Sequence, residues 1–394
     1  YLLVMFYTTI AGWMLAYFVK MLNGDFIGLN PSEVNNVFVS LQADPQASIF
    51  WMILIVVIGC GICAVGLQRG VEKVTKVMMG LLLGVMLLLV VKSLSLDGAI
   101  KGVEFYLVPD FNLLMENGIF NAVYGAMGQA FFTLSIGMGG MAIFGSYIGR
   151  EHSLTGEGLR VLALDTFVAT MAGLIIFPAC MSFGVDAGSG PGLVFVTLPN
   201  IFNVMENGQI WGTLFFVFMN FAALSTIIAV FENIIAFDMD LFGWSRNKSV
   251  AVSAVLVILL SMPAVLGYNL WSGIQPLGEG STIMDLEDFI VSNNLLPLGS
   301  LGYVLFCTRK NGWGWDGFMA ETNAGEGIKF PAALRVYVTW FLPLLIAFIY
   351  LKGYYDMFSG KDTLTFVCWM IAAVVFLGFI CWCAWKKPTA KKAV

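Results

Sequence analysis

Ten apolar runs, each about long enough to cross a bilayer as a helix, dominate the chain. They lie near 1–22, 49–67, 75–95, 119–149, 157–184, 209–238, 248–268, 284–307, 331–351 and 363–385. Roughly 20 predominantly apolar residues span the hydrocarbon core as a helix. Lipid offers no partner to a backbone N–H or C=O, so only helices and closed barrels cross it. Barrel strands alternate apolar and polar residues in short segments, whereas these runs are apolar on every face. The chain therefore reads as an all-α, polytopic membrane protein with ten transmembrane helices. Composition agrees, with 59% of the 394 residues hydrophobic and 11% charged, against roughly a quarter charged in soluble domains.

Positive residues fall on alternate loops. Arg69, Lys73, Lys76, Arg150, Arg160, Arg246, Lys248, Arg309, Lys310, Lys329, Arg335, Lys386, Lys387, Lys391 and Lys392 share one side, while Lys20, Lys92, Lys101, Lys352 and Lys361 share the other. An excess of Lys and Arg marks the cytoplasmic side, so both ends of the chain are expected there, in a cell membrane. The chain opens at Tyr1, inside an apolar run and without an initiating Met, and an upstream segment is expected to be missing.

The sequence lacks the nucleotide-binding, zinc-protease and serine-hydrolase motifs, and its only histidine is His152, in a loop. An enzyme is not expected, nor a nucleic-acid partner. Most of the seven cysteines lie in apolar spans and read as buried small hydrophobes; Cys60 and Cys63 form a C-x-x-C without a redox setting.

Several spans depart from plain membrane helix. Ser135-Ile136-Gly137-Met138-Gly139-Gly140 sits mid-span, where glycines mark either a close helix contact or an interrupted helix of the kind that holds a transporter's substrate and ion. Gln129, Thr133 and Ser135 add polar groups that favour the break. Asp165 is a carboxylate that should face a cavity, a cation or a basic partner, or else cap a helix beginning two turns later. Ala222-Ala223-Leu224-Ser225-Thr226 is a hydroxyl patch, and in membrane helices such hydroxyls commonly bond back to the i−4 carbonyl. Asp285, Glu287 and Asp288 read as a solvated charge run, and Glu321 with Asn323 as a polar loop.

The run Gly128-Gln129-Ala130-Phe131-Phe132-Thr133-Leu134-Ser135-Ile136-Gly137-Met138-Gly139 resembles the unwound sixth helix of the neurotransmitter:sodium symporters. Further matches follow in the family's order: Phe6-Tyr7, Trp13, Gly70-Val71-Glu72-Lys73, Val108-Pro109-Asp110-Phe111, Ala172 to Pro178, Gly190 to Phe195, Thr197-Leu198-Pro199, Ala222 to Thr226 and Glu321-Thr322-Asn323. The resemblance covers essentially the whole chain and is bacterial in flavour. It implies a leucine-transporter-like fold of two inverted five-helix repeats, with the ten spans equivalent to helices 3–12 of the family. Residues 1–118 would be the remainder of the first repeat, 119–307 the second, unwound near 135–140, and 308–394 two peripheral helices.

The same resemblance implies a site. Leu3, Tyr7, Ile10, Phe132, Ser135, Met138, Thr226 and Val230 would contact substrate, with the Tyr7 hydroxyl on its carboxylate and Phe132 as a lid. Thr133 and Asp165 would serve one sodium ion, and the Ala222 carbonyl with Ser225 and Thr226 the other; both sites would be completed by the missing first helix, without which the chain is expected not to transport. Gln129, Phe132 and Asp288 would form an outer gate. Many members place Asn near Asp165 with chloride, or a carboxylate, a turn later; here that position is Ala169, and the fixed charge of Asp165 implies that chloride is not required. The reading is sodium-coupled symport of a neutral, hydrophobic or aromatic amino acid by alternating access. Its alternative is a non-transporting membrane scaffold, subunit or inactive fragment.

Overall fold

A computed structural model describes residues 1–185 and 190–386, so Lys387, Lys391 and Lys392 of the positive cluster lie outside the described residues. In chain order the helices are α1 (Leu2–Asn23), α2 (Pro31–Ala43), α3 (Pro45–Ala64), α4 (Lys73–Leu94), α5 (Ala99–Leu107), α6 (Phe111–Asn117), α7 (Ile119–Thr133), α8 (Gly140–Ser146) and α9 (Leu154–Ser182). They continue with α10 (Leu198–Val204), α11 (Gly208–Phe242), α12 (Arg246–Leu266), α13 (Ile283–Ile290), α14 (Leu296–Thr308), α15 (Gly314–Thr322), α16 (Leu342–Phe358) and α17 (Thr363–Trp385). Short π-helical segments lead into α4, α14 and α16. No strand forms among the described residues; His152 and Glu326 make an isolated bridge.

Among the described residues nine helices are long and apolar enough to cross a membrane. The tenth span, 119–149, is present as two pieces, α7 of 15 residues and α8 of 7. Neither crosses alone, because the chain leaves helical geometry between them. Local chemistry sets several helix ends. The Asn30 side chain accepts from Glu33 N at 3.0 Å while Glu33 Oε2 accepts from Asn30 N at 2.8 Å, a reciprocal cap that starts α2 at Pro31. Asp44 accepts from the amides of Gln46 and Ala47 at the head of α3.

By packing, the chain groups into two units. One holds Tyr1–Asp110 and Thr166–Glu287, the other Phe111–Asp165 and Asp288–Val394. In the first, α1, α3, α11 and α12 pack side by side around Val4, Met52, Val56, Ile227, Phe231 and Val257, all without exposed surface. Trp13 closes one end of this core edge-on to Phe38 and Tyr268. Polar side chains tie helices where lipid offers no partner: Ser93 Oγ on α4 donates to the Ile175 carbonyl on α9 at 2.7 Å. In the second unit α14, α16 and α17 pack together, with α7 against α14 and α16.

Two sequence expectations are corrected. Glu287 is not part of a solvated run: it is 5% exposed, while Asp285 accepts from Thr282 N at 2.7 Å and caps α13. A charge run tells nothing about which face of a short helix meets the core. Glu321 lies on helix α15 rather than in a loop. The cysteines divide. Cys60, Cys63 and Cys180 are buried, Cys307 and Cys381 intermediate, and Cys368 and Cys383 exposed, the last two on α17, a helix with little buried surface of its own.

Candidate functional site

The break in the α7–α8 span begins where Leu134 donates to Ala130 O and Ile136 to Phe131 O; regular bonding resumes with Ala142 and Ile143, both donating to Gly139 O. Ser135 has φ 52°, Gly137 φ 90° and Gly139 φ 84°. L-residues avoid this left-handed region, and glycine enters it without steric cost, so a Gly-x-Gly here ends one helix and begins another. Close contact and break, posed as alternatives by the sequence, coexist. A Cβ on Gly137 would lie 2.3 Å from the Leu296 carbonyl oxygen, and one on Gly299 would lie 2.3 Å from the Gly137 carbonyl oxygen. The unwound segment therefore rests backbone to backbone on α14.

Directly before the break, Thr133 Oγ1 donates to Asp165 Oδ1 at 2.9 Å. Because α9 begins at Leu154, Asp165 stands within the helix and the N-cap alternative fails. The carboxylate keeps a second oxygen, and the threonine oxygen keeps its lone pairs, so the pair offers hard oxygen donors suited to an alkali cation. Gln129, Phe132 and Asp288 line a single cleft of about 380 Å³ with Tyr124, Ser292 and Asn293. Asp288 accepts from Ser292 Oγ at 2.8 Å. Ser135 and Met138 lie in the unwound segment itself.

In the other unit, Leu3, Tyr7 and Ile10 recur at helical spacing along one face of α1, which packs on α11. Tyr7 is within hydrogen-bonding reach of Thr226, and Tyr7 and Val230 both pack against the core. Ser225 Oγ and Thr226 Oγ1 donate to the Ala222 carbonyl at 2.8 and 3.3 Å. This is the back-bonding expected of membrane hydroxyls, and it gathers three oxygens within one turn. No group of three or more His, Cys, Asp or Glu residues that could hold a metal ion occurs among the described residues. A cation at the Ala222–Thr226 turn would meet hydroxyl and carbonyl oxygen, and one beside Thr133 would meet the Asp165 carboxylate as well.

Sequence reasoning missed the role of Glu232. It is 1% exposed and is gripped by Arg246 across the short α11–α12 turn. The signal was available: an acid on an apolar helix and a base opening the next, in an antiparallel pair with a short connection.

A sequence model of the sodium:neurotransmitter symporter family matches residues 38–380. An uncharacterized sodium-dependent transporter of Bacillus subtilis, YhdH, is 33% identical over 358 residues, covering 89% of this chain and 77% of its own length. An uncharacterized sodium-dependent transporter of Haemophilus influenzae is 30% identical, covering 88% and 75%. The crystal structure of MhsT in complex with L-phenylalanine superposes with a TM-score of 0.77 at 32% identity, covering 89% of this chain and 78% of that one.

Proposed function

The chain belongs to the sodium:neurotransmitter symporter family, whose members are sodium-dependent transporters, and on that premise we propose that it carries a neutral, hydrophobic or aromatic amino acid into the cell by sodium-coupled alternating access. The interrupted α7–α8 span carries this reading. A helix broken in mid-membrane frees backbone groups and opposes two helix ends, which is how such folds build substrate and ion sites.

In this proposal the protein lies in the cell membrane with both ends of the chain cytoplasmic. Residues 1–118 and 119–307 belong to the two inverted repeats and 308–394 to two peripheral helices. Thr133 and Asp165 serve one sodium ion, and Ala222, Ser225 and Thr226 another. Tyr7 binds the substrate carboxylate; Leu3, Ile10, Met138 and Val230 supply apolar wall, with Ser135 and Thr226 as polar contacts. Phe132 closes over the substrate, and Gln129 with Asp288 forms the outer gate. The fixed carboxylate of Asp165 replaces chloride. A hydrophobic substrate is supported by the apolar side chains among these residues, by methionine's adaptable shape, and by the phenylalanine bound to the related MhsT.

The test is uptake of radiolabelled amino acids by the full-length protein in proteoliposomes, with sodium or choline outside. Neutral hydrophobic or aromatic amino acids are expected to accumulate only with sodium and to compete with one another. Uptake in choline equal to that in sodium, or preference for glutamate, lysine or glycine betaine, would overturn the proposal.

A further inference from the structure

Arg309 follows α14 and makes no ion pair among the described residues. Its guanidinium carbon lies 4.7 Å from the centre of the Trp340 ring and 5.1 Å from that of Trp385, at the head of the α16 span and the last residue of α17. Asn311 Nδ2 donates to the Trp385 carbonyl at 2.8 Å and so ties that helix end to the turn carrying Arg309. Lys310 follows Arg309, and Lys386 follows Trp385; neither forms an ion pair among the described residues.

The Arg309 Nε is buried without a hydrogen-bond partner. Ring faces attract the guanidinium plane, but they leave its N–H edge unsatisfied, and that edge is a planar fork matched to a phosphate or carboxylate. Trp340 and Trp385 are 58% and 57% exposed, as interfacial tryptophans at headgroup level are. The alternation of Lys and Arg along the loops assigns Arg309 to the positive-rich side expected to be cytoplasmic, where basic pockets between helices bind anionic headgroups.

We propose that Arg309, stacked against Trp340 and Trp385, binds the phosphate of an anionic phospholipid of the cytoplasmic leaflet, with Lys310 and Lys386 adding charge. The phosphate accepts from the guanidinium edge, and the acyl chains lie along the exposed apolar surface of α16 and α17. The lipid thereby staples the ends of α14, α16 and α17. The inference rests on the chain spanning a membrane with this face toward the cytoplasm, and it stands apart from the substrate proposal.

The experiment uses delipidated full-length protein in neutral detergent and reads the melting temperature with added phosphatidylglycerol, phosphatidylcholine or inorganic phosphate. Phosphatidylglycerol is expected to raise Tm in the wild type and in Lys20→Gln, whose lysine the loop charge pattern assigns to the opposite side. The rise should be at least halved in Arg309→Gln and intermediate in Arg309→Lys, which keeps the charge and loses the fork. An undiminished rise in Arg309→Gln would overturn the site, and equal stabilisation by phosphatidylcholine would overturn its charge selectivity. Equal stabilisation by inorganic phosphate would reassign it to a free anion and overturn the lipid. Should Arg309→Gln not fold, wild-type protein with brominated lipid decides the matter. Brominated phosphatidylglycerol should quench the fluorescence contributed by Trp340 and Trp385, obtained by difference from Trp340→Phe and Trp385→Phe, and equal quenching by brominated phosphatidylcholine would overturn the proposal.

Discussion

Arg246 holds Glu232 with both ends of its guanidinium, Nη1 to Oε1 at 3.1 Å and Nη2 to Oε2 at 2.5 Å, while its Nε donates to the Cys63 carbonyl at 2.7 Å. One side chain thus joins α11, α12 and the C-terminal end of α3. Removing one partner of a buried pair leaves an uncompensated charge, at about 3–5 kcal/mol. Arg246→Ala is therefore expected to lower thermal stability in detergent sharply. Arg246→Ala with Glu232→Gln should recover much of the loss, since no lone charge remains; a double variant as unstable as the single one would argue that packing, not the pair, sets the cost.

The hydroxyls of Ser225 and Thr226 converge on Ala222 within their own helix, and their value to folding is small, since such back-bonding adds little to a helix and even hydrogen bonds between membrane helices contribute about 0.6 kcal/mol on average. Loss of a proposed cation ligand is expected to cost more. Ser225→Ala and Thr226→Ala should each raise the sodium concentration for half-maximal uptake about tenfold, equivalent to about 1.4 kcal/mol, while shifting Tm little. Unchanged sodium activation in both would remove these residues from the cation site.

With Asp165 hydrogen-bonded to Thr133 at 2.9 Å, a fixed negative charge adjoins the proposed first cation position. Replacing chloride by gluconate should leave sodium-driven uptake intact, whereas Asp165→Ala should weaken sodium activation. Collapse of wild-type uptake in gluconate would show that the carboxylate does not stand in for chloride.

Gly137 and Gly299 admit no side chain. Gly137→Ala adds left-handed strain, about 1–2 kcal/mol, to an overpacking cost of about 1–3 kcal/mol. Gly299→Ala should pay the overpacking cost alone. Gly128→Ala, with nothing within 4 Å of the added carbon, is the neutral control. Thermal unfolding of the three variants tests the order, and equal stability of Gly137→Ala and Gly128→Ala would show that the break does not bear on α14.

The sequence by itself determined the spans, the break and the family, because each is written in neighbouring residues. Twenty apolar residues must form a helix in lipid, Gly137 and Gly139 license a turn no other residue takes cheaply, and the Gly128 to Gly139 run is contiguous. What only the tertiary structure decided is which faces meet. Lipid is as apolar as the protein interior, so a membrane helix lacks the polar stripe that marks the outside of a soluble one. On α9, Leu164 is 62% exposed and Ile175 4% exposed, yet the sequence treats them alike. Asp165 could have been a cap, and its helix start with Thr133 opposite made it a mid-helix partner. Glu287 looked solvated until the fold buried it, and Gly137 found its counterpart in Gly299 on a distant helix. Such pairings depend on the approach of segments far apart in the chain, and local sequence carries no record of that approach.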